Sequence, residues 1–229
     1  MGVAVVIPTL NEADAIGAVV RELPRAIATE IIVADSGSRD ATLANAEAAG
    51  ARVLSLRERG YGRACAAGAA AASAQCDIIV FMDGDGADRG DLLAQLVAPI
   101  QAGTHDFVIA SRTRGTRDPG SMSPHQVFAG HVAGFGMGAL YGVRYTDMCA
   151  YRAIRRDALQ QLDMRELTYG WNIEMQMKAA RAKLRILEVP MPYRCRMGGQ
   201  SKVAGSLRGT VRAGWRIAVT FARVAGSAS

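Results

Sequence analysis

The stretch CDIIVFMDGDGADRG, residues 76–90, joins an apolar run to two aspartates. Residues 78–82 are all apolar, which is typical of a buried strand. Asp83 and Asp85 follow at once, each with a glycine after it. Two unit charges about 4 Å apart repel by roughly 4 kcal/mol at an effective dielectric constant near 20. A bound cation is the simplest compensation, so this stretch predicts a strand that ends at a ligand site.

The same pattern of apolar run and polar tail continues on both sides. Runs with strand character lie at 3–8, 30–38, 51–56, 76–83 and 105–112, and helical segments separate them. This alternation predicts an α/β fold, a Rossmann-like, mainly parallel sheet with helices on both faces. Ligands bind beyond the carboxyl ends of the strands in such sheets. We therefore expect the polar tails to meet there, namely Thr9, Asn11, Glu12, Asp35, Ser36, Asp83, Asp85, Ser111 and Arg112.

The second half is less regular. We expect a loop at 113–125, a helix at 126–142, a strand within 185–196 and a basic amphipathic helix at 203–223. The last segment divides the chain into a main domain, 1–202, and a C-terminal helix and tail, 203–229. Arg208, Arg212 and Arg216 recur every fourth residue beside an apolar stripe that includes Trp215. Such a helix either packs on its own domain with the arginines in water or lies on an anionic membrane surface.

Composition narrows the class of protein. The chain has 229 residues, 50% of them hydrophobic, and a net charge of +6 concentrated after residue 152, which predicts an anionic partner. Low aromatic content and the lack of a stacking or zinc module argue against nucleic acid. No leader-like start and no membrane-length apolar run are visible, so we expect a cytoplasmic protein. The four cysteines lack metal-type spacing and are expected to be free thiols.

An EF-hand loop and a hairpin turn both fit the aspartate pair poorly. An EF-hand loop beginning at Asp83 would need an acid where Ala94 stands, and a hairpin turn conflicts with the helical segment that follows. Neither a dinucleotide-binding glycine fingerprint nor a P-loop is present. The pair suits Mg²⁺ or Mn²⁺ held by carboxylates and phosphate oxygens.

Seven motifs together resemble the family-2 glycosyltransferases of GT-A fold, and most closely the dolichyl- or polyprenyl-phosphate mannose and glucose synthases. They are IPTLNE (7–12), DSGSRD (35–40), GYGRA (60–64), FMDGDGA (81–87), ASR (110–112), DMCAYRAIRRDAL (147–159) and GGQSK (198–202). The resemblance covers roughly residues 3–203. It implies an inverting transfer of a sugar from a UDP- or GDP-sugar to a lipid phosphate at the cytoplasmic face of a membrane.

The resemblance also implies roles on the donor side. Pro8, Thr9 and Glu12 would line the nucleotide base and ribose, and Asp35 would accept a hydrogen bond from the base. Gly84 would lie against the nucleotide. Asp83 and Asp85 would hold the metal that bridges the diphosphate, with Asp85 counted among the catalytic residues.

Further roles concern the phosphates and the acceptor. Arg112 would receive the acceptor phosphate, and Arg196 would clamp the diphosphate with Ser201 and Lys202 nearby; arginine suits phosphate because its planar fork donates two bonds at once. Glu174 stands near the place of an acid in related transferases. With Asp85, Arg112 and Arg196, it makes four predicted catalytic residues. A salt bridge from Glu174 to Lys178 would account for this acid equally well as a structural residue.

The chain departs from the family pattern at several places. Ala87 stands where a glutamine is frequent, so one metal ligand is missing, and His131 stands where an asparagine is usual. The C-terminal membrane spans common among these synthases are absent from the sequence given.

The acceptor decides what the mechanism needs. A lipid phosphate is already anionic, whereas a hydroxyl acceptor needs a general base, for which Glu174 and Asp147 are the candidates. A transferase for a soluble or glycan hydroxyl is therefore an alternative. A sugar-phosphate nucleotidyltransferase and a non-catalytic nucleotide-sugar binding module are two further alternatives. The nucleotide base, the sugar and the oligomeric state cannot be predicted from this sequence.

Overall fold

The computed structural model of the chain describes residues 1–198 and 207–226, with backbone alone for 207–210 and 212. Its described part contains one seven-stranded sheet in the order β3-β2-β1-β4-β6-β5-β7. The strands are β1 (Gly2–Thr9), β2 (Glu30–Asp35), β3 (Arg52–Ser55), β4 (Cys76–Phe81), β5 (Phe107–Ser111), β6 (Arg152–Arg155) and β7 (Ile186–Pro190). All neighbouring pairs are parallel except those of β6 with β4 and β5. The predicted α/β, mainly parallel sheet is confirmed.

Eight α-helices connect or follow these strands in the part of the chain that is described. They are α1 (Ile16–Glu22), α2 (Thr42–Ala48), α3 (Tyr61–Ala71), α4 (Leu93–Gln101), α5 (Pro124–Tyr141), α6 (Arg156–Gln161), α7 (Trp171–Arg181) and α8 (Leu207–Gly226). A short 3₁₀ turn, Gly90–Leu92, precedes α4. Helix α5 begins with a capping box between Ser123 and Gln126 and ends at Gly142, which has a positive φ.

The core forms around β1. Its residues from Val3 to Thr9 are buried because β2 and β4 flank the strand in the sheet and α3 packs on it. Strand β5 and, apart from exposed Asp77, strand β4 are buried in the same way, and apolar runs of this kind are typical of parallel strands with both faces covered. The sheet thus holds the carboxyl ends of β1, β2 and β4 at one edge.

Strand β6 is a feature that the sequence pattern did not reveal. It has four residues, RAIR, with an arginine at each end, and it runs antiparallel between β4 and β5. Its length is below that of a recognisable apolar run. Arg152 is nevertheless fully buried, so charge at that position does not indicate exposure.

Helix α8 packs against α7. Ala213, Thr220 and Val224 are buried, whereas Trp215 is 69% exposed. Packing on the same chain and an exposed apolar stripe therefore coexist on this helix. The expected domain boundary at 202/203 lies outside the described residues, so that division stays a prediction. In the described part, no helix is long and apolar enough to cross a membrane.

Candidate active site

Polar side chains that follow neighbouring strands converge at one edge of the sheet. Thr9 at the end of β1 pairs in register with Asp35 at the end of β2, and its hydroxyl donates to the Asp35 carboxylate over 3.0 Å. Asp83 lies two residues beyond the end of β4, which is the other neighbour of β1. The structure therefore brings together three of the four strand tails that the sequence analysis placed around a ligand.

Asp83, Asp85 and Asp88 form an aspartate cluster in the loop after β4. The main-chain N–H of Asp83 donates to the Asp88 carboxylate over 3.1 Å. Burial and then the negative charges of its two neighbours raise the pKa of Asp83 to about 8. Burial and the charge of Asp85 raise the pKa of Asp88 to about 7. Negative charge on Asp83 and Asp88 is therefore unfavourable in the protein alone, and a nearby cation would stabilise it.

Asp88 is a member of this cluster that the sequence analysis missed. It is 4% exposed, and its other neighbour is the Cys149 thiol at 3.9 Å. The available signal was its position three residues beyond Asp85 in a run already rich in acids. Ala87, which stands where a glutamine is frequent, is buried and donates its N–H to Asp85 over 3.0 Å.

Gly84 and Gly86, in the loop that holds the aspartate cluster, lie close to neighbouring side chains. Gly86 has a φ of +80°, and a Cβ there would lie 2.6 Å from Met197. A Cβ at Gly84 would lie 2.9 Å from the Thr9 side chain. The chain from 194 to 197 therefore runs against the loop, and the N–H of Met197 donates to the Asp85 carbonyl over 2.9 Å.

This arrangement brings Arg196 to the cluster. Its guanidinium lies 3.0 Å from the Glu12 carboxylate and 3.9 Å from that of Asp85. Arg196 thus bridges the tail of β1 and the aspartate cluster, and its predicted role as a diphosphate clamp stays a prediction. Ser201 and Lys202 lie outside the described residues, so their predicted roles stay predictions.

Asp35 has a structural task in the same region. It has no exposed surface, and its carboxylate accepts hydrogen bonds from Thr9, from the Ser38 hydroxyl and from the main-chain N–H groups of Gly37 and Ser38. These bonds hold the DSGS loop beside the end of β1. Pro8 is buried inside β1 rather than on an open surface. The base contacts predicted for Asp35 and Pro8 stay predictions.

Arg112 follows β5 and is held by Asp147. Its Nε and Nη2 donate to the two carboxylate oxygens over 2.7 Å each, and its guanidinium stacks 5.0 Å from the centre of the Tyr193 ring. Burial alone would raise the pKa of Asp147, but the hydrogen bonds and charge of Arg112 lower it. The Arg112 side chain keeps 17% of its surface exposed. It is therefore an oriented and partly exposed cation.

The structure does not bring Glu174 into the site as a free carboxylate. Its side chain is 1% exposed and lies 3.1 Å from the Lys178 ammonium, which is the structural alternative that the sequence left open. It also accepts from the main-chain N–H groups of Arg165 and Glu166 over 3.0 and 2.6 Å. These bonds fix the segment before α7. These contacts give Glu174 a structural role, and the catalytic role predicted for it stays a prediction.

The aspartate cluster suits a divalent metal that a ligand helps to hold. Within residues 1–198 and 207–226, no three His, Cys, Asp or Glu side chains form a complete metal site by themselves. Buried carboxylates with raised pKa values are nevertheless hard oxygen donors that a cation would stabilise. Mg²⁺ and Mn²⁺ keep places for phosphate oxygens, so an incomplete protein shell fits a metal–diphosphate site.

The structure therefore places the aspartate cluster and two arginines, Arg112 and Arg196, at the carboxyl edge of a mainly parallel sheet. The family model for glycosyl transferase family 2 matches residues 4–163. The chain belongs to glycosyl transferase family 2. The family resemblance stated from the motifs is therefore confirmed.

Three relatives illustrate the range of the family. An uncharacterized glycosyltransferase of Mycobacterium tuberculosis is 34% identical over 213 residues, which cover 91% of this chain and 93% of the relative. The undecaprenyl-phosphate mannosyltransferase of Micrococcus luteus is 30% identical, with 91% and 90% covered. Glucosyl-3-phosphoglycerate synthase of M. tuberculosis, solved with phosphoglyceric acid, superposes with a TM-score of 0.77 at 25% identity over 100% of this chain and 81% of that one. The same enzyme has also been solved with Mn²⁺ and UDP.

Proposed function

We propose that this chain is a metal-dependent, inverting hexosyltransferase that moves a sugar from a UDP- or GDP-sugar to a polyprenyl phosphate. The donor side rests on the aspartate cluster and Arg196. A bound Mg²⁺ or Mn²⁺ would be held by Asp83 and Asp85 and would neutralise charge on the leaving diphosphate. Arg196 adds a second positive group beside Asp85, and Glu12 orients its guanidinium.

The burial and ion pairing of the two candidate bases favour a phosphate acceptor over a hydroxyl. Asp147 is 2% exposed and locked to Arg112, and Glu174 is 1% exposed and locked to Lys178. Neither carboxylate is free to take a proton from a hydroxyl. An acceptor phosphate is already anionic and needs no such step. Arg112, oriented by Asp147 and partly exposed, is the group that would receive it.

Two helices support a lipid acceptor. Exposed apolar side chains form one stripe on α5 and another on α8, and we call these the α5–α8 stripes: Phe128, Val132, Phe135, Leu140, Val211, Trp215 and Val219. The helices meet where a Cβ at Gly136 would lie 2.8 Å from the Phe221 ring. Neither helix contains an Asp or Glu. Apolar stripes on acid-free helices of a basic chain match an anionic membrane surface.

The second candidate is transfer to a hydroxyl of a soluble acceptor. The superposition with glucosyl-3-phosphoglycerate synthase favours it, because that enzyme was solved with phosphoglyceric acid. The two candidates differ in acceptor and in their need for a base.

The test is a transfer assay with labelled UDP-glucose and GDP-mannose in the presence of Mn²⁺. Undecaprenyl phosphate in vesicles and 3-phosphoglycerate in solution are offered separately. We expect labelled product from the lipid phosphate alone, with activity per folded molecule retained in Glu174→Gln. Product from 3-phosphoglycerate alone, or loss of all transfer in folded Glu174→Gln, would favour the hydroxyl acceptor and contradict the proposal.

A membrane-binding measurement tests the location separately. Phe135→Ser combined with Trp215→Ser should abolish co-sedimentation with vesicles containing phosphatidylglycerol, while nucleotide binding is unchanged. Vesicles of neutral lipid are the control and should bind the unaltered chain more weakly. Equal binding of the double variant and the unaltered chain would contradict a role of the α5–α8 stripes at the membrane.

A further inference from the structure

The starts of α3 and α7 are held against each other. The N–H of Gly62 donates to the Thr168 carbonyl over 3.2 Å, and that of Arg63 donates to the Leu167 carbonyl over 3.0 Å. A Cβ at Gly62 would lie 2.3 Å from the Glu166 carbonyl oxygen. The GYGRA motif therefore needs its second glycine so that the first turn of α3 can reach the segment before α7.

This contact brings together buried polar atoms that lack hydrogen bonds of normal geometry. The Tyr61 hydroxyl in the first turn of α3 and the Asn172 Oδ1 in the first turn of α7 are both buried from solvent. Neither makes a hydrogen bond of normal geometry within the described residues. The indole N–H of Trp171 is in the same condition. Buried polar atoms are almost always hydrogen-bonded in folded proteins, so a group of unpaired ones indicates a ligand that supplies the missing bonds.

The group lies beside the aspartate cluster. The Tyr61 hydroxyl lies close to the side chains of Asp83 and Asn172. Burial and the charge of Asp83 raise its pKa, whereas its interaction with the Asn172 side chain lowers it. The Trp171 ring packs edge-on against Phe81, two residues before Asp83, with the ring centres 6.0 Å apart. Donors and acceptors without well-formed hydrogen bonds thus lie next to the place where the diphosphate would be held.

Arg152 supports the first turn of α7. It is fully buried on β6, and its guanidinium donates to the Asn172 carbonyl over 3.1 Å. It forms no ion pair with a carboxylate of the described residues. Its bonds to main-chain carbonyls fix the first turn of α7 relative to the sheet. In the sheet order, β6 lies on the side of β4 away from β2 and Asp35.

We propose that Tyr61 and Asn172 bind the hydroxyl groups of the donor's hexose and so determine which sugar is accepted. This inference rests on the proposed function, since the hexose is attached to the diphosphate that the metal holds. A hexose presents hydroxyls that both donate and accept. A phenol hydroxyl does both, and an amide oxygen accepts, so the chemistry of the two groups is complementary to it. The nucleoside would extend in the other direction, toward Asp35.

The experiment compares a nucleotide with its sugar derivative. Calorimetric titration in Mn²⁺ measures the Kd of UDP, UDP-glucose, GDP and GDP-mannose for the unaltered chain, Tyr61→Phe and Asn172→Leu. Tyr145→Phe is the matched control, because the hydroxyl of Tyr145 is buried but already donates to the Gln176 carbonyl over 3.0 Å. Retained binding of the nucleoside diphosphate shows that each variant is folded.

We expect the sugar nucleotide to lose about tenfold in affinity in Tyr61→Phe and in Asn172→Leu, with the nucleoside diphosphate changed less than twofold. Tyr145→Phe should change neither ratio. Equal losses for nucleotide and sugar nucleotide, or no loss for either, would overturn the hexose assignment and leave the proposed function standing. If no nucleotide binds the unaltered chain, the proposed function fails and this inference fails with it.

Discussion

Two groups of buried carboxylates in this protein differ in how their charge is neutralised. In the aspartate cluster, burial and the repulsion of neighbouring carboxylates raise the pKa values of Asp83 and Asp88. The glutamate pair, Glu166 and Glu174, is buried as deeply, but Lys178 and Arg223 lie within 3.5 Å of its oxygens. Burial alone would raise the pKa of Glu166, but bonds from Thr168 and Thr220 and the charge of Arg223 lower it.

This difference in neutralisation suggests a functional role for the aspartate cluster and a structural role for the glutamate pair. The glutamate pair is complete within the protein and ties α8 to the segment before α7. We propose that a cation and the ligand that binds it complete the aspartate cluster. Removing one carboxylate from the aspartate cluster should therefore lower activity more than stability. Removing one from the glutamate pair should lower stability more than activity.

The largest effect is expected in the aspartate cluster. Asp85→Asn should lower transfer activity by about 10²–10³-fold, because it removes a metal ligand where charge develops on the leaving group. Its Tm should stay equal or rise, because one repelling charge is gone. Activity assays and thermal unfolding check this, with Asp77→Asn, an exposed residue of β4, as the control. A clear drop in Tm together with retained activity would contradict the comparison.

The glutamate pair should respond in the reverse way. Glu174→Gln removes the charge that faces buried Lys178, so we expect a loss of about 2–4 kcal/mol in the free energy of unfolding. Activity per folded molecule should remain within a few-fold of the unaltered chain. Chemical denaturation and a transfer assay below the Tm measure both. Unchanged stability with abolished activity would support the catalytic role predicted for Glu174.

Arg112 tests whether an oriented cation is needed on the acceptor side. In Arg112→Lys the two-pronged bond to Asp147 is lost, because an ammonium cannot form the planar fork. We expect kcat/KM for the acceptor to fall about tenfold or more, while the Kd of the nucleotide is unchanged. A variant that loses nucleotide affinity instead would place Arg112 on the donor side.

The smallest effect concerns a carboxylate that surface arginines neutralise. Hydrogen bonds and charge from Arg185, with Arg155 adding to them, lower the pKa of Asp106 to about 2. Because this pKa lies below the unfolded value, the stabilisation is present above about pH 4 and is lost as the pH falls toward 2. Asp106→Asn should cost about 1–2 kcal/mol at pH 7 and progressively less below pH 4. A difference in unfolding free energy that stays constant with pH would contradict this.

Much of the fold follows from local pattern. Long apolar runs identify β1, β2, β4 and β5, and short connections make their parallel order predictable. Strand β6 could not be recognised, because RAIR has charged ends and only the sheet buries Arg152. Likewise, the period of α7 does not reveal that nearly every position from Trp171 to Ala180 is buried, which is why Glu174 resembled a free acid.

The site was predictable where a motif lies on one loop. Asp83 and Asp85 were identified from adjacent letters, and the structure adds Asp88 to them. Contacts between segments that are distant in the chain could not be predicted from the sequence. The approach of Tyr61 to Asn172 depends on main-chain bonds from Gly62 and Arg63 to residues more than a hundred positions away. Such tertiary contacts leave no periodic signal in a single sequence.

Calorimetric titration with UDP and GDP, each with and without Mn²⁺, tests the central claim most directly. The incomplete aspartate cluster predicts that one nucleotide binds tightly only when the metal is present, and that Asp83→Asn removes this binding. Glu174→Gln should retain it. Binding that is equally tight without metal, or no binding of either nucleotide under any condition, would contradict the claim that a metal and a diphosphate complete this cluster.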